Sequence, residues 1–563
     1  MKEKERGISK GALYGIIGIV IVVVVLGAVA GYYATRKVTT TTTVTTTSAV
    51  PVTTTSAVPV TTTSVVPTTV TTTSTLTVPV TTTTTTPSVT TFTFLNWWGP
   101  EDPPGLEWVA GNFSAKYPQY KVSYTSVSGA GGTVAQFVIL GMIEAGKPPN
   151  SFQAHYSPVM WSYVEVMPQL AADFVNFTPI AQKTGLYTMA VKEALLAGMF
   201  NGTMFSLPVE AHRGVLLYYN PQTLRKYNIS YPIMTVQQLI NDTKILASKG
   251  VTGIWMVPGA DGGWDQLNLW EDIFLGLASE KYGPAGGAKL YNEILYGVLN
   301  FSDPAVQSLI NQTDYDFIYF TGYDYPGWQT LTWSSGLADI IQGTSVFQAN
   351  GNWVTEYAHI WYHVNAYAPV PPYTNWTNIT LMEQPFPGTW GNYAVNEDSV
   401  AVPSYANPVE QAAVTFAEYW DSYQGMEVWT SSGKGVEVWS NGTDFYPTTA
   451  QWYDYETLKN ISATDPAAYT IDPSDESLFT DTFSAMISQT ETLQTSGVGY
   501  INTFNSQFAS IMHQQCTEWQ TAAKSGFGFL GMKGEPFANY LPPWVNPNTY
   551  AYMSNYTCPT YTW

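Results

Sequence analysis

From Gly11 to Thr35 the sequence carries no charged residue, and the central run IIGIVIVVVVLGAVAG is apolar on every face. A helix without a polar face has no reason to lie on a protein surface, and a run this long rises far enough to cross a hydrocarbon core of about 30 Å. The segment is therefore expected to be a membrane span. Lys2, Lys4, Arg6 and Lys10 precede it, so the positive-inside rule puts the N-terminus in the cytoplasm and everything after Tyr33 outside, a vote that Arg36 and Lys37 weaken slightly. Whatever folds must then be built beyond the span.

The junction Ser9-Lys10-Gly11-Ala12 before the apolar run resembles an archaeal class III, pilin-type signal. In such signals a peptidase cuts after the Gly and the hydrophobic helix stays on the mature protein, where it offers a route to assembly. The expected plan is a signal segment at 1–11, an anchor helix at 12–35 and a stalk at 36–92. The stalk is a Thr/Ser/Val/Pro tract with SAVPVTTT repeated at Ser48 and Ser56. Such a tract packs no core, stays extended and offers clustered hydroxyls for O-glycosylation. As a coil its ends lie about 40 Å apart, and fully extended it reaches roughly 180 Å.

The chain has 563 residues, 45% hydrophobic and 15% aromatic, enough for two cores beyond the stalk. Its formal charge of -20 makes nucleic acid an unfavourable partner. Because only 11% of residues are charged, mostly as carboxylates, the surface tolerates an acidic medium. The two cysteines, Cys516 and Cys558, are expected to form a disulfide outside the cell and are too few for a Cys-rich metal site. No metal or cofactor is expected. Asn-x-Ser/Thr sequons begin at Asn112, Asn176, Asn201, Asn228, Asn241, Asn300, Asn311, Asn375, Asn378, Asn441, Asn460 and Asn555, consistent with an exported, glycosylated surface.

From Thr93 an extended run FTFLNWW is followed by helical GLEWVAGNFSAKY, strand-like YKVSYTSV and helical VAQFVILGMIEAG. This β-α-β-α alternation predicts doubly wound α/β lobes that bind ligands at the carboxyl ends of their strands. The first strand ends in Asn96-Trp97-Trp98-Gly99, with Glu101 in the following turn. An indole face there suits the C–H face of a sugar, with polar neighbours taking the hydroxyls.

Five blocks carry a family resemblance. The run from Leu95 through SGAGGTVAQFVILGMIEAGKPPNSFQAH looks like the first lobe of glucose-binding proteins of ABC importers, with Asn150 where that family usually has Asp. The resemblance points to Trp97, Trp98 and His155, beside Glu101 of the polar turn. FSLPVEAHRGVLLYYNPQTLRKYNIS, from Phe205, is similar to the family's lobe-crossing strand, implying Glu210 and His212, with Val215 replacing the expected Asn. GGWDQLNLWEDIFLGLAS resembles a Trp-containing loop entering a helix, with Trp264 and Glu271 as candidates and Asp265 as the expected helix N-cap. IIQGTSVFQANGNWVTEY implies Asn350 and Trp353, with Asn352 in the family's variable Gly-(Asp/Pro)-Trp position. AVNEDSVAVPSYANPVEQAAVTFAEYW resembles the return crossing and implies Asp398.

The resemblance implies an α/β, two-lobed, periplasmic-binding-protein-like fold of the maltose-binding type, with a hinge and an interlobe cleft. Lobe 1 is expected over 93–208, lobe 2 over 209–392, a return to lobe 1 over 393–445, and C-terminal helices of lobe 2 with a Tyr/Pro-rich tail over 446–563. It also implies a monosaccharide ligand such as glucose and ABC permease subunits as partners. Three other readings are a secreted glycosidase, for which no acid and nucleophile pair stands out, a peptide-binding importer subunit, and a surface filament. No nucleophile elbow, phosphate loop, HExxH or EF-hand appears in the body.

Overall fold

The structure is a computed structural model, and it describes residues 88–98, 103–127, 129, 132–155, 157–191, 199–200, 203–369, 378–439, 446–471, 479–524, 556–560 and 563. The expected signal, anchor and most of the stalk lie outside these residues, as do Glu101 and the sequons at Asn201, Asn375, Asn441 and Asn555. Among the described residues no helix is long and apolar enough to cross a membrane.

The first strand, β1 (Thr90–Asn96), buries Phe92 and Phe94 completely and lies parallel to β2 (Tyr120–Ser126) and β3 (Ser151–Ala154). Helices α1 (Pro103–Lys116) and α2 (Thr133–Glu144) make the crossovers that parallel pairing requires. The sheet is completed by three later strands, β4 (Ser206–Arg213), β8 (Tyr393–Ala401) and β9 (Tyr469–Ile471). β8 runs antiparallel to both β3 and β4 and parallel to β9.

A second sheet places β5 (Leu216–Tyr219) between β6 (Phe347–Asn350) and β7 (Met382–Pro385), antiparallel to both. The doubly wound arrangement expected of both lobes therefore does not hold in the second. There, among the described residues, parallel pairing is confined to isolated bridges at Trp255 and Tyr367. The reason is connectivity: β5 enters directly from the crossing strand β4, and its neighbours return from far along the chain. Each sheet has its own core. Phe92, Phe113, Phe416, Trp420 and Trp429 belong to the first, and Trp255, Trp270, Phe347, Phe504 and Phe508 to the second.

The chain passes between the cores at Gly214–Val215 and returns just before Tyr393, which makes β4 and β8 the crossing strands. Both are buried at every position although they carry Glu210, His212, Arg213, Asn396, Glu397 and Asp398. Buried polar side chains survive only when paired, so these strands are where a network must exist.

Helix α3 (Trp264–Leu295) begins differently from expectation. Its N-cap is Gly263 at φ 90°, with Asp265 inside the first turn and buried. A Cβ at Gly263 would meet Ile487 and Glu491 at 3.1 Å, so close packing and the left-handed backbone select glycine there and displace Asp265 from the cap.

The C-terminal region, expected to belong wholly to lobe 2, divides between the cores. Helix α5 (Thr449–Thr464) packs Tyr455 and Leu458 into the first core, whereas α6 (Thr480–Ser496) packs Phe483 and Met486 into the second. Helix α7 (Ile501–Lys524) serves both, with Phe504 and Phe508 in the second core and Cys516 and Trp519 in the first. The tail is fastened to α7 by the Cys516–Cys558 disulfide and by Pro559 O bonded to His513 Nδ1 at 2.8 Å, and Trp563 packs on Phe301. The bridged cysteines are 42 residues apart, for which loop-closure entropy gives about 4 kcal/mol. Replacing both by Ser is expected to lower the guanidinium midpoint by up to that equivalent. An unchanged midpoint would show that the bridge does not constrain the unfolded chain.

Of the described sequons, Asn112, Asn176, Asn228, Asn241, Asn300, Asn378 and Asn460 are exposed, and Asn311 is half-buried.

Candidate functional site

Antiparallel register sets His212 opposite Asn396 and Glu210 opposite Asp398, and a shift follows between Asp398 and Ser399. Asp398 collects donors from three directions. Trp98 Nε1 donates to Oδ2 at 3.0 Å and Gln153 Nε2 to Oδ1 at 2.5 Å. His155 Nε2 stands 3.4 Å from Oδ1 and His212 Nε2 3.6 Å from Oδ2. Burial opposes ionisation, but hydrogen bonds and charge from the two histidines outweigh it and hold the Asp398 carboxyl well below its ordinary range. With its oxygens engaged by four protein donors, Asp398 acts as a hub that orients lobe 1 side chains.

His212 is fully buried. Its Nε2 lies 3.1 Å from Glu210 Oε1 and its Nδ1 lies 2.7 Å from Asn352 Oδ1. Burial lowers its pKa, yet Glu210 and Asp398 raise it to about 10. Burial pushes Glu210 up, with His212 and Lys434 pulling against that rise. Among the described residues, Glu210, His212 and Asp398 form the one His/carboxylate trio whose ligand atoms fall within 4.8 Å of one another.

The two adjacent tryptophans have separate fates. Trp98 is 4% exposed and packs against Trp420 and Trp429 at 5.5 and 4.9 Å between ring centroids, with its N–H on Asp398. Trp97 is half-buried, lies 4.6 Å from the His155 ring and is anchored by its backbone N–H to Gln153 Oε1 at 2.9 Å. Gly132, at φ 92°, lies so close to the Trp97 ring that a Cβ would stand 2.9 Å from it. Gly132 thus lies against one face of the indole.

Residues 100–427 match the bacterial extracellular solute-binding protein family. The "Glucose-binding protein GlcS" of Saccharolobus solfataricus is 46% identical over 466 residues, which span 82% of this chain and 81% of that protein. This chain belongs to the bacterial extracellular solute-binding protein family. The "Xylose/arabinose-binding protein XacG" of Haloferax volcanii is 19% identical over 373 residues, 66% of this chain and 73% of that one. A solved structure of a "Chitin oligosaccharide binding protein" superposes with a TM-score of 0.59 at 16% identity, covering 76% of this chain and 99% of its own. This last likeness concerns the two-lobed fold.

Trp353 and Trp264 lie with ring centroids 5.5 Å apart, and the His212 ring meets Trp353 edge-on at 5.3 Å. Asn350 is buried, its amide donating to Asp265 Oδ1 at 3.3 Å and its oxygen accepting from Gly351 N at 2.9 Å. Burial, reinforced by Asp261 and Asp324, drives the Asp265 carboxyl well above its ordinary range. Glu271 is buried in α3 about two turns beyond Trp264.

Several residues packed around these side chains were not singled out in the sequence. Lys434 is 2% exposed, 3.8 Å from Glu356 Oε2, and its ammonium stands 5.1 and 5.6 Å from the Trp98 and Trp429 rings. Trp429 Nε1 donates to Glu210 Oε2 at 2.8 Å. Lysine flanked by Gly433 and Gly435, both at positive φ, was the available signal; a Cβ at Gly435 would strike Glu210 Oε2 at 2.5 Å. Gln153 and Asn352 carried none, because only the fold brings them to Asp398 and His212.

Proposed function

We propose that this protein is the extracellular receptor of an ABC-type importer and that it captures a monosaccharide, glucose or a related aldose, by closing its two lobes. The observation that carries this reading is the seating of Trp97: a half-buried indole beside His155, backed by Gly132, at the carboxyl end of β1. One small pyranose face fits one indole face, and His155 lies close enough to that region to take a hydroxyl. The 46% identity to a glucose-binding protein supports the same ligand class. Micromolar capture needs about 8 kcal/mol, within reach of several hydroxyl hydrogen bonds plus stacking once water is excluded.

Trp264 and Trp353 close the cleft from lobe 2, and Asp398 holds the lobe 1 donors in place. The uncharged run at 11–35 tethers the body, as a single span with the body outside, and the Thr-rich stalk spaces it from the membrane. The permease receives the closed, loaded form, and the N-terminal helix offers a surface for assembly.

The test is calorimetric titration of the chain from Thr84 onward, one compact unit, with monosaccharides, disaccharides and short peptides. Tight monosaccharide binding is expected, weakened at least about tenfold by Trp97→Ala, in line with roughly 1–3 kcal/mol for a lost aromatic stack. Tight peptide binding, or no binding by a demonstrably folded body, would overturn the assignment.

A further inference from the structure

Asn352 sits in the turn between β6 and helix α4 (Val354–Ile360), on the second lobe, yet both ends of its amide are spent on the hinge. Its Nδ2 donates to Asp454 Oδ2 at 3.0 Å, so its oxygen is the atom that faces His212 Nδ1 at 2.7 Å. Asp454 is itself tied to Arg213, whose Nη1 lies 3.4 Å from Oδ1. An amide oxygen accepts and does not donate, so His212 carries a proton on Nδ1. On the other side of the ring, among the described residues, Nε2 faces carboxylate oxygens, from Glu210 at 3.1 Å and Asp398 at 3.6 Å. A proton on Nε2 lets it donate to them.

We propose that Asn352 is a positioning residue for the ligand cleft: by accepting the hydrogen bond from Nδ1–H it helps Glu210 and Asp398 keep His212 an imidazolium, which compensates those carboxylates and so holds the lobe 1 donors in register. The chain of contacts is continuous from Asp454 through Asn352, His212 and Asp398 to Gln153, whose Oε1 holds the backbone of Trp97. Movement of the second lobe is thereby felt at the indole of the first. The charged and titratable groups around His212 are Glu210 on its own strand, Asp398 on β8 with His155 beyond it, Lys434 beside Glu210, and Asp454 with Arg213 behind Asn352. Negative charge dominates the immediate contacts, which agrees with a ring pKa raised to about 10.

This inference rests on the proposed contact of Trp97 and His155 with the sugar, so its test has one arm that needs no sugar. In 15N-labelled protein the His212 ring, assigned by the signal lost in His212→Gln, should show both nitrogens protonated from pH 5 to 9. In Asn352→Leu, which removes the Nδ1 acceptor but keeps Glu210 and Asp398, the ring should titrate about one pH unit lower than in the wild type. A neutral wild-type ring at pH 7, or a variant ring that titrates together with the wild type, would overturn the proposal whether or not sugar binds. In the second arm, wild-type glucose affinity should be flat between pH 5 and 8, while that of Asn352→Leu should match it at pH 5 and fall about one pH unit earlier than the wild type's as the ring loses its proton. Equal weakening at every pH would reduce Asn352 to a packing role and overturn the proposal. Failure of the wild type to bind glucose would instead count against the sugar reading, and the ring titration would still decide the role of Asn352.

Discussion

Asp398→Leu is expected to cost about 3–5 kcal/mol of stability and to abolish sugar binding, because it removes a charge around which a buried network is arranged. Trp98 Nε1 and Gln153 Nε2 lose their acceptor, and His155 and His212 lose the carboxylate that both face. His212 is then left with Glu210 as its neighbouring carboxylate, inside strands buried at every position. Asp398→Asn keeps the shape and one acceptor and should fall between wild type and Leu. Urea unfolding of the three proteins at pH 6 checks this. A loss below about 1 kcal/mol for Asp398→Leu, at the level of an ordinary surface change, would show that the hub is not what holds the crossing strands. Because removal of Asp398 also lowers the pKa of His212, part of the loss should be recovered as pH rises and the ring gives up its proton.

Stability should peak near pH 4 and decline toward pH 8. Burial pushes the carboxyls of Asp314 and Glu437 up to about 7, Asp324 up to about 8, and Asp242 and Asp316 up to about 6. A raised carboxyl keeps its proton in the folded state over a pH range in which the unfolded chain has released it. Its contribution is thus fully present below about 4 and is lost progressively up to the folded value. His212, raised to about 10, adds a loss in the same direction above its ordinary 6.5. Asp398 acts oppositely: its depressed carboxyl stabilises the fold above about 4 and is lost only as pH drops through its low folded value.

At 1.36 kcal/mol per proton per pH unit, and discounted heavily for relaxation and partial hydration, the decline from pH 4 to 8 is on the order of 5 kcal/mol. For a chain of this size that is roughly 5 °C in melting temperature. Calorimetric scans across the range test it. A melting temperature that rises from pH 4 to 8 would contradict the protonated state of these buried acids. Sparse surface charge already suggested tolerance of acid; the buried acids make it a property of the core.

Much of the fold was legible because it depends on local pattern. The β-α-β-α periodicity after Thr93 foretold the parallel half of the first sheet, and five motif blocks in order pointed to two lobes. The antiparallel second sheet was not legible, since β5 pairs with strands that return from more than a hundred residues away, at Phe347 and Met382. The same division runs through the site. The motif pointed to both Trp97 and Trp98 as sugar contacts, although adjacent residues at a strand end face opposite ways, and one ring turns in while the other stays half-buried. Which was which depended on Trp420 and Trp429, from a helical segment remote in the chain, closing around Trp98.

By itself the sequence determined the kinds of residue available: aromatic platforms at strand ends, carboxylates and histidines on two crossing strands, an uncharged run long enough to span a membrane, and cysteines paired far along the chain. Only the tertiary structure decided which of them meet. Trp98 and Asp398 are 300 residues apart and Gln153 and Asp398 are 245 apart, and it is the β4–β8 register, with its shift after Asp398, that aims this carboxylate at them. Lys434, Gln153 and Asn352 gain their meaning in the same way. Hydrogen bonds and ion pairs act over a few ångströms, and at that range the neighbours of a buried polar group are set by strand register and helix packing, not by position along the chain.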